Sequence, residues 1–256
     1  MILAIDVGNS IIVLGMIEDG EIRNILRIHT DPRETGTEYA IKLLQIADYY
    51  NIDLRTVEGS IIASVVPPVT ESLRHAVERL TGKRPMIVGP GMKTGLNVRI
   101  DDPSTVAADL VVGSVAATTN YGAPVIVIDM GTATTIVVVD KNGAYRGGAI
   151  TPGLKLGYGA LSSGTSLLPD ISILPPKKVV ASNTVDSMRS GAVYGTASLI
   201  DGMIERMEEE LGYKCTVVAT GGLAQNVIPF CRHPGIIIDP DLILKGLWTL
   251  YKKNRP

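Results

Sequence analysis

One pattern occurs twice in this chain, and a repeat constrains a fold more than any single motif, because both copies must satisfy the same local physics. Met1 to Ile22 reads MILAIDVGNSIIVLGMIEDGEI, and Val125 to Tyr145 reads VIVIDMGTATTIVVVDKNGAY. Each runs apolar strand, Asp, one residue, Gly, a small polar pair, a second apolar strand, and an acidic turn with Gly. The two aspartates are Asp6 and Asp129, so in a chain of 256 residues the second copy starts near the midpoint. Each copy reads as a β-hairpin. Asp140-Lys141-Asn142-Gly143 supplies the turn of the second, Asn-Gly being a strong hairpin signal, and Glu18-Asp19-Gly20 does so in the first.

Behind each hairpin the periodicity changes from two to helical. Thr37 to Tyr50 carries Tyr39, Ile41, Leu43, Leu44 and Ile46 and reads as a helix able to pack on a sheet. Ile61 to Val66 reads as a buried strand closed by Pro67-Pro68, Thr70 to Thr81 as a helix, and Pro85 to Val88 as a strand. In the second half, Thr184 to Leu211 reads as one long helix or two, with Gly191, Gly195 and Gly202 permitting close packing or a break and Gly212 as the stop. Val217 to Ala219 is then a strand running into Thr220-Gly221-Gly222, Ile236 to Ile238 a last strand, and Asp241 to Tyr251 a closing helix. The expected fold class is therefore α/β: two duplicated lobes, residues 1–118 and 119–256, each a mixed β-sheet flanked by helices, facing one another across a cleft near residues 110 to 125.

Composition narrows the function. Aromatics are 4% of the chain, with Phe230 and Trp248 single examples, so the core is aliphatic. The net charge of −2 leaves no basic surplus for a nucleic-acid backbone. Apolar stretches such as Ile61 to Val66 and Val125 to Ile128 stop far short of the roughly 20 residues of a membrane helix. The opening residues read as a strand rather than a secretory signal, and Cys215, Cys231, His29, His75 and His233 are too scattered for a disulfide framework or a protein-built zinc site. A reducing cytoplasm and a small-molecule substrate are expected, without nucleic acid or membrane.

A strand that ends in Asp and turns through Gly into small polar residues exposes successive backbone N–H groups at the mouth of a hairpin. Gly8 and Gly131 let the main chain approach an anion, Ser10, Thr132, Thr134 and Thr135 offer hydroxyls, and Asp6 or Asp129 can hold a metal-bound water. One Asp-x-Gly alone is a tight turn; two copies at equivalent places favour a phosphate cradle. Gly221-Gly222 after a strand allows a flat ligand to lie on bare backbone. Asp109 stands apart: after Asp101-Asp102-Pro103-Ser104, a helix start, Thr105 to Thr119 reads as an apolar helix with this one carboxylate inside it. A buried unpaired carboxylate costs several kcal/mol, so Asp109 lies either on a solvent stripe or in a site. The run Glu205 to Glu210 reads as a solvated helix face, and Lys93 as an exposed lysine in a Gly-rich loop.

The order hairpin, hairpin, Gly-Gly resembles the actin, hexokinase and sugar-kinase superfamily, whose lobes are ribonuclease H-like. Within it, Asp6-Val7-Gly8-Asn9-Ser10, Gly89-Pro90-Gly91-Met92-Lys93-Thr94-Gly95-Leu96-Asn97, Asp129 to Thr135, Gly147-Gly148-Ala149-Ile150-Thr151-Pro152-Gly153 and Asn183-Thr184-Val185 resemble type III pantothenate kinase over essentially the whole chain. The resemblance implies ATP-dependent phosphorylation of pantothenate, the first step toward coenzyme A, in a homodimer using Mg2+ and a monovalent cation, K+ or NH4+. It implies that Asp6, Val7, Gly8, Asn9, Ser10, Ile11, Ile12 and Val13 form the first phosphate loop and Thr132 a second nucleotide contact. Asp129 becomes the monovalent-cation ligand and Asp109 the general base. Ile100, Ala107, Ala108, Asp109 and Leu110 meet the acceptor, and Thr184 contacts pantothenate across the dimer interface. The departures cluster on the acceptor side: Ala107-Ala108-Asp109-Leu110 stands where the family usually has Gly-Ala-Asp-Arg, and Ile100 where it has tyrosine. Ser10-Ile11 and Ile136-Val137 depart near the two loops. Two other readings follow from these departures: a paralogous kinase for a different small alcohol, or a non-catalytic subunit, pairing with itself or a paralogue.

Overall fold

The fold is that of a computed structural model describing residues 1–255. The chain divides into two compact units, the first comprising Met1–Leu96, Asp102–Ala116 and the chain from Leu242 on, the second Asn97–Asp101 and Ala117–Asp241.

In the first unit, β1 (Ile2–Val7), β2 (Ile11–Glu18), β3 (Glu21–His29), α1 (Gly36–Tyr49), β4 (Gly59–Ser64), α2 (Pro67–Thr81) and β5 (Met86–Ile87) follow in order. The sheet runs β3-β2-β1-β4-β5, with β1 antiparallel to β2 and parallel to β4. A central strand loses both faces to the core, which is why β1 is apolar at consecutive positions until Asp6. Leu3, Ile5 and Val7 face one way, into Tyr39, Leu43 and Leu73 of α1 and α2; Ile2 and Ala4 face the other. Thr35 and Glu38 form a reciprocal capping box at the start of α1. Pro67 and Pro68 occupy the first turn of α2 rather than merely closing β4, because the orphan first-turn N–H groups are the ones proline lacks.

The second unit holds β6 (Asn97–Val98) and, beyond α3 (Ala108–Tyr121), β7 (Val125–Met130), β8 (Ala133–Val139), β9 (Ala144–Pro152), α4 (Leu154–Ser163), α5 (Thr184–Ser190), α6 (Thr196–Leu211), β10 (Thr216–Thr220), α7 (Ala224–Val227) and β11 (Ile237–Ile238). Its sheet order, β11-β10-β7-β8-β9-β6, repeats the first topology with β6 added at the edge. Ile126, Ile128, Ile136 and Val217 pack against Leu154, Ala197, Ile200 and Ile204 of α4 and α6. The chain from Thr184 to Leu211 is helical throughout, joined across Gly191–Gly195 by a π-helical turn.

Four expectations change. Each hairpin is a three-stranded meander, since β3 and β9 extend both copies. The closing helix, α8 (Leu242–Asn254), belongs to the first unit rather than to residues 119–256, because Leu244, Leu247 and Leu250 cover Ile2, Ala4, Ile61 and Ala63. The segment after Asp102 is a 3-10 turn, Pro103–Thr105, capped by the Asp102 carboxylate, so α3 starts at Ala108 and Asp109 is its second residue. Glu208 is not solvated; it is 4% exposed, and its carboxylate accepts from Lys214 Nζ at 2.7 Å and Cys215 N at 2.9 Å.

Candidate functional site

The first glycine turn joins β1 to β2. Gly8 N donates to Ile11 O at 3.1 Å, closing the turn, and Thr30 fixes it from the end of β3: its Oγ1 donates to Gly8 O at 2.7 Å and its N to Ser10 O at 3.1 Å. With those carbonyls engaged, Asn9 and Ser10 stay exposed at the mouth, while Asp6 is half-buried opposite Val13 on β2 and Ala63 on β4. Val7 and Ile12, expected at the nucleotide, have side chains wholly in the core, so they reach a ligand only through backbone; Ile11 and Val13 are half-buried.

The second turn joins β7 to β8 and is closed in the same way, Gly131 N donating to Ala133 O at 3.0 Å. Thr132 is exposed and Asp129 half-buried. Gly153, at the start of α4, is pressed on this turn, its N donating to Thr132 O at 3.0 Å. On the other side β10 runs parallel to β7 with Thr220 opposite Asp129, which brings the following Gly221 onto the aspartate. Gly222 lies exposed, with open space where a side chain would project, as a bare-backbone platform needs. Of the expected hydroxyl donors, Thr134 is turned into the interior at 2% exposure, since residues alternate along β8.

Asp109 sits in the first turn of α3, where the helix dipole and orphan N–H groups favour an anion. Its Oδ1 accepts from Leu110 N at 2.7 Å. Burial nevertheless raises its pKa above the ordinary carboxylate value, with backbone hydrogen bonds only partly offsetting the loss of water. Asp31 and Asp102 show the opposite, held low by hydrogen bonds from Arg33 and Ser104. A half-buried carboxyl with raised proton affinity suits a base better than a freely solvated one does. Ala107, Ala108 and Leu110 around it are half-buried and bring no polar side chain; Ile100 is half-buried after β6, and Thr184 is exposed at the start of α5.

The sites thus assemble by unit. The Gly8 turn, Ala107, Ala108, Asp109 and Leu110 lie in the first, and Asp129, Thr132, Gly221, Gly222, Ile100 and Thr184 in the second. Among the described residues no three His, Cys, Asp or Glu side chains cluster as a metal site. Single carboxylates at glycine turns fit a divalent ion held mainly by substrate phosphates, which Mg2+ prefers to an all-protein cage. Sequence reading did not find Thr30; a hydroxyl residue at the end of a third strand carries no local signal. The thiols of Cys215 and Cys231 are pushed by burial up to about 11 and about 12, which disarms them as nucleophiles.

A family model described as type III pantothenate kinase matches residues 2–206. Among solved structures, a conserved Campylobacter jejuni protein described as a Baf family transcriptional activator is 19% identical with a TM-score of 0.60, covering 99% of this chain and 98% of that one. Component A of (R)-2-hydroxyglutaryl-CoA dehydratase from Acidaminococcus fermentans is 16% identical with a TM-score of 0.57, covering 98% and 96%. A ROK family glucokinase from Streptomyces griseus, solved with glucose and AMPPNP, is 13% identical with a TM-score of 0.53, covering 98% of each chain. At such identities the likeness establishes the fold, two mixed sheets flanked by helices of the sugar-kinase type.

Proposed function

Because the chain belongs to the type III pantothenate kinase family and is therefore a kinase, we propose that it transfers the terminal phosphoryl group of ATP to the primary hydroxyl of pantothenate, giving 4'-phosphopantothenate. The observation that carries this reading is Asp109, a half-buried carboxyl of raised proton affinity in the same unit as the first glycine turn. ATP, with its Mg2+ ion, supplies the phosphoryl group, and transfer depends on positioning and charge neutralisation more than on covalent chemistry. The Asp6 to Val13 turn offers backbone N–H groups and the Ser10 hydroxyl to phosphate oxygens, and Thr132 offers a second hydroxyl. Asp129 would hold the monovalent cation, K+ or NH4+. Asp109 accepts the acceptor's hydroxyl proton as its oxygen bonds to phosphorus and the bond to the leaving ADP oxygen breaks.

Pairing with a second copy is supported by apolar side chains in the second unit, among them Leu167 at 90% exposure and Val180 at 87% in the stretch leading to Thr184. No described helix is long and apolar enough to cross a membrane. Membership of a metabolic kinase family is what supports our placing the activity in the cytoplasm.

A second reading is favoured by Ile100 and Leu110, apolar and half-buried where an acidic, polar acceptor would have to be met: phosphorylation of a less acidic small alcohol. The test is a mass-spectrometric assay with ATP, Mg2+ and K+. Stoichiometric ADP and 4'-phosphopantothenate are expected. Turnover of another alcohol alone would move the assignment to the second reading, and ATP binding without any transfer would leave a non-catalytic member.

A further inference from the structure

Helix α8 holds the chain on both sides of the segment that carries the acceptor-binding candidates, and we propose that its last turn, through Asn254, positions that segment. The proposal rests on the kinase reading for its kinetic consequence but not for the mooring itself. Asn254 Oδ1 accepts from Lys93 N at 2.8 Å, and Nδ2 donates to Lys93 O and to Leu250 O, each at 2.9 Å. One side-chain amide thus pairs with both backbone groups of Lys93, as a neighbouring strand would. Lys253 Nζ donates to the next carbonyl, Thr94 O, at 2.9 Å. Met92 and Leu96 pack into the apolar cluster that contains Leu247 and Leu250 of the same helix.

The second hold is downstream, on α3. At Gly246 the helices α8 and α3 meet backbone to backbone; a Cβ there would run into the Val112 carbonyl and lie 2.7 Å from Val112 Cγ1. Val112 lies one turn beyond Asp109 on the same helix. Between Lys93 and Val112 the chain leaves the first unit: Asn97 and Val98 pair with Ala144 and Tyr145 on β9, Arg99 N donates to Tyr145 O at 2.9 Å, and Ile100 follows. The chain then returns to the first unit and reaches Ala107, Asp109 and Leu110. An excursion between two fixed ends has less conformational freedom than one fixed at a single end. The motif lysine therefore acts through its backbone: Lys93 is the upstream mooring point. The first glycine turn is held instead by Thr30 and β2, so the polar bonds that Lys253 and Asn254 make outside α8 bear on the acceptor side.

The full-length protein tests this. In Asn254→Ala the backbone amides of residues 93–99 should exchange with deuterium about 10-fold faster, while those of residues 6–13 and 125–135 stay unchanged. The acceptor KM should rise about 10-fold, with kcat and the ATP KM within about twofold, the loss expected when positioning of one substrate is weakened. Asn254→Asp, which sets a carboxylate oxygen against the Lys93 carbonyl, should do no better. If Asn254→Ala does not fold, Lys253→Ala, which removes only the bond to Thr94 O, should show the same pattern at smaller amplitude. Unchanged exchange over residues 93–99, or KM values for both substrates rising together, would overturn the proposal. Absence of pantothenate turnover in the unmodified protein would instead overturn the functional reading, and the exchange experiment would still decide the mooring.

Discussion

Gly221 is pressed against Asp129: a Cβ on Gly221 would stand 2.7 Å from Asp129 Oδ1 and 2.6 Å from Met130 N, and its backbone lies at φ +93°. Both the space and the conformation exclude a side chain. The second acidic turn is thus braced by the glycine that follows a strand almost a hundred positions later, and the proposed cation ligand keeps its place only while that residue is glycine. Gly221→Ala should cost about 1–2 kcal/mol in left-handed strain alone. It should lower kcat/KM for ATP roughly 10-fold or more as Asp129 is displaced. Gly222→Ala, where nothing stands within 4 Å, is the control and should leave melting temperature near that of the parent.

Asp109→Asn should reduce kcat by about 100- to 10,000-fold, the range for losing a positioned base, with little change in KM for ATP. Its pH dependence follows from the direction of the shift. Burial raises the folded-state pKa, so the base is protonated, and activity lost, as pH falls through a value above that of an ordinary carboxylate.

For stability the sign is opposite. A group whose folded pKa is raised contributes stability at low pH that disappears as pH rises through the folded value, so at neutral pH the ionised Asp109 is a burden. Asp109→Asn should therefore melt no lower than the parent at pH 7, and higher if desolvation dominates. A marked fall in the midpoint would show that the carboxylate is a helix-start support rather than a base.

Leu110→Arg tests the acceptor side. A guanidinium reaching a carboxylate or polar amide forms a charge-assisted hydrogen bond of about 1.5–3 kcal/mol, so the pantothenate KM should drop about 10-fold or more, further with Ile100→Tyr. If both changes leave it untouched, the acceptor does not meet these residues.

Lys214→Met isolates an interaction outside the site. Burial alone would raise the Glu208 pKa, but the Lys214 and Cys215 hydrogen bonds outweigh it and hold it low. Glu208 thus stabilises the fold at neutral pH, and that contribution is lost in acid as pH falls through its depressed value. Without Lys214 the carboxylate is buried and poorly paired, so the melting temperature should fall at pH 7 and the deficit should narrow as the solution is acidified.

The sequence by itself determined the duplication, both acidic glycine turns and most helices, because these depend on neighbouring residues: alternation along a strand, a turn glycine, an apolar stripe. Asp6, Gly8, Asp129, Gly131 and Asp109 stood out for that reason. It did not reveal β3 and β9, because Glu21–His29 is an edge strand with much polar surface and Ala144–Pro152 is interrupted by Gly147-Gly148. Nor could it place α8, since Leu244, Leu247 and Leu250 form a stripe that would suit either sheet. The tertiary structure decided this through close approach, with Gly15 against Leu244, Gly59 against Tyr251 and Gly246 against Val112, all in the first unit. The supports of the candidate residues within each unit, Thr30 on Gly8 and Asn254 on Lys93 in the first and Gly221 on Asp129 in the second, belong to the same class. They join residues distant along the chain, and only packing brings such partners within reach.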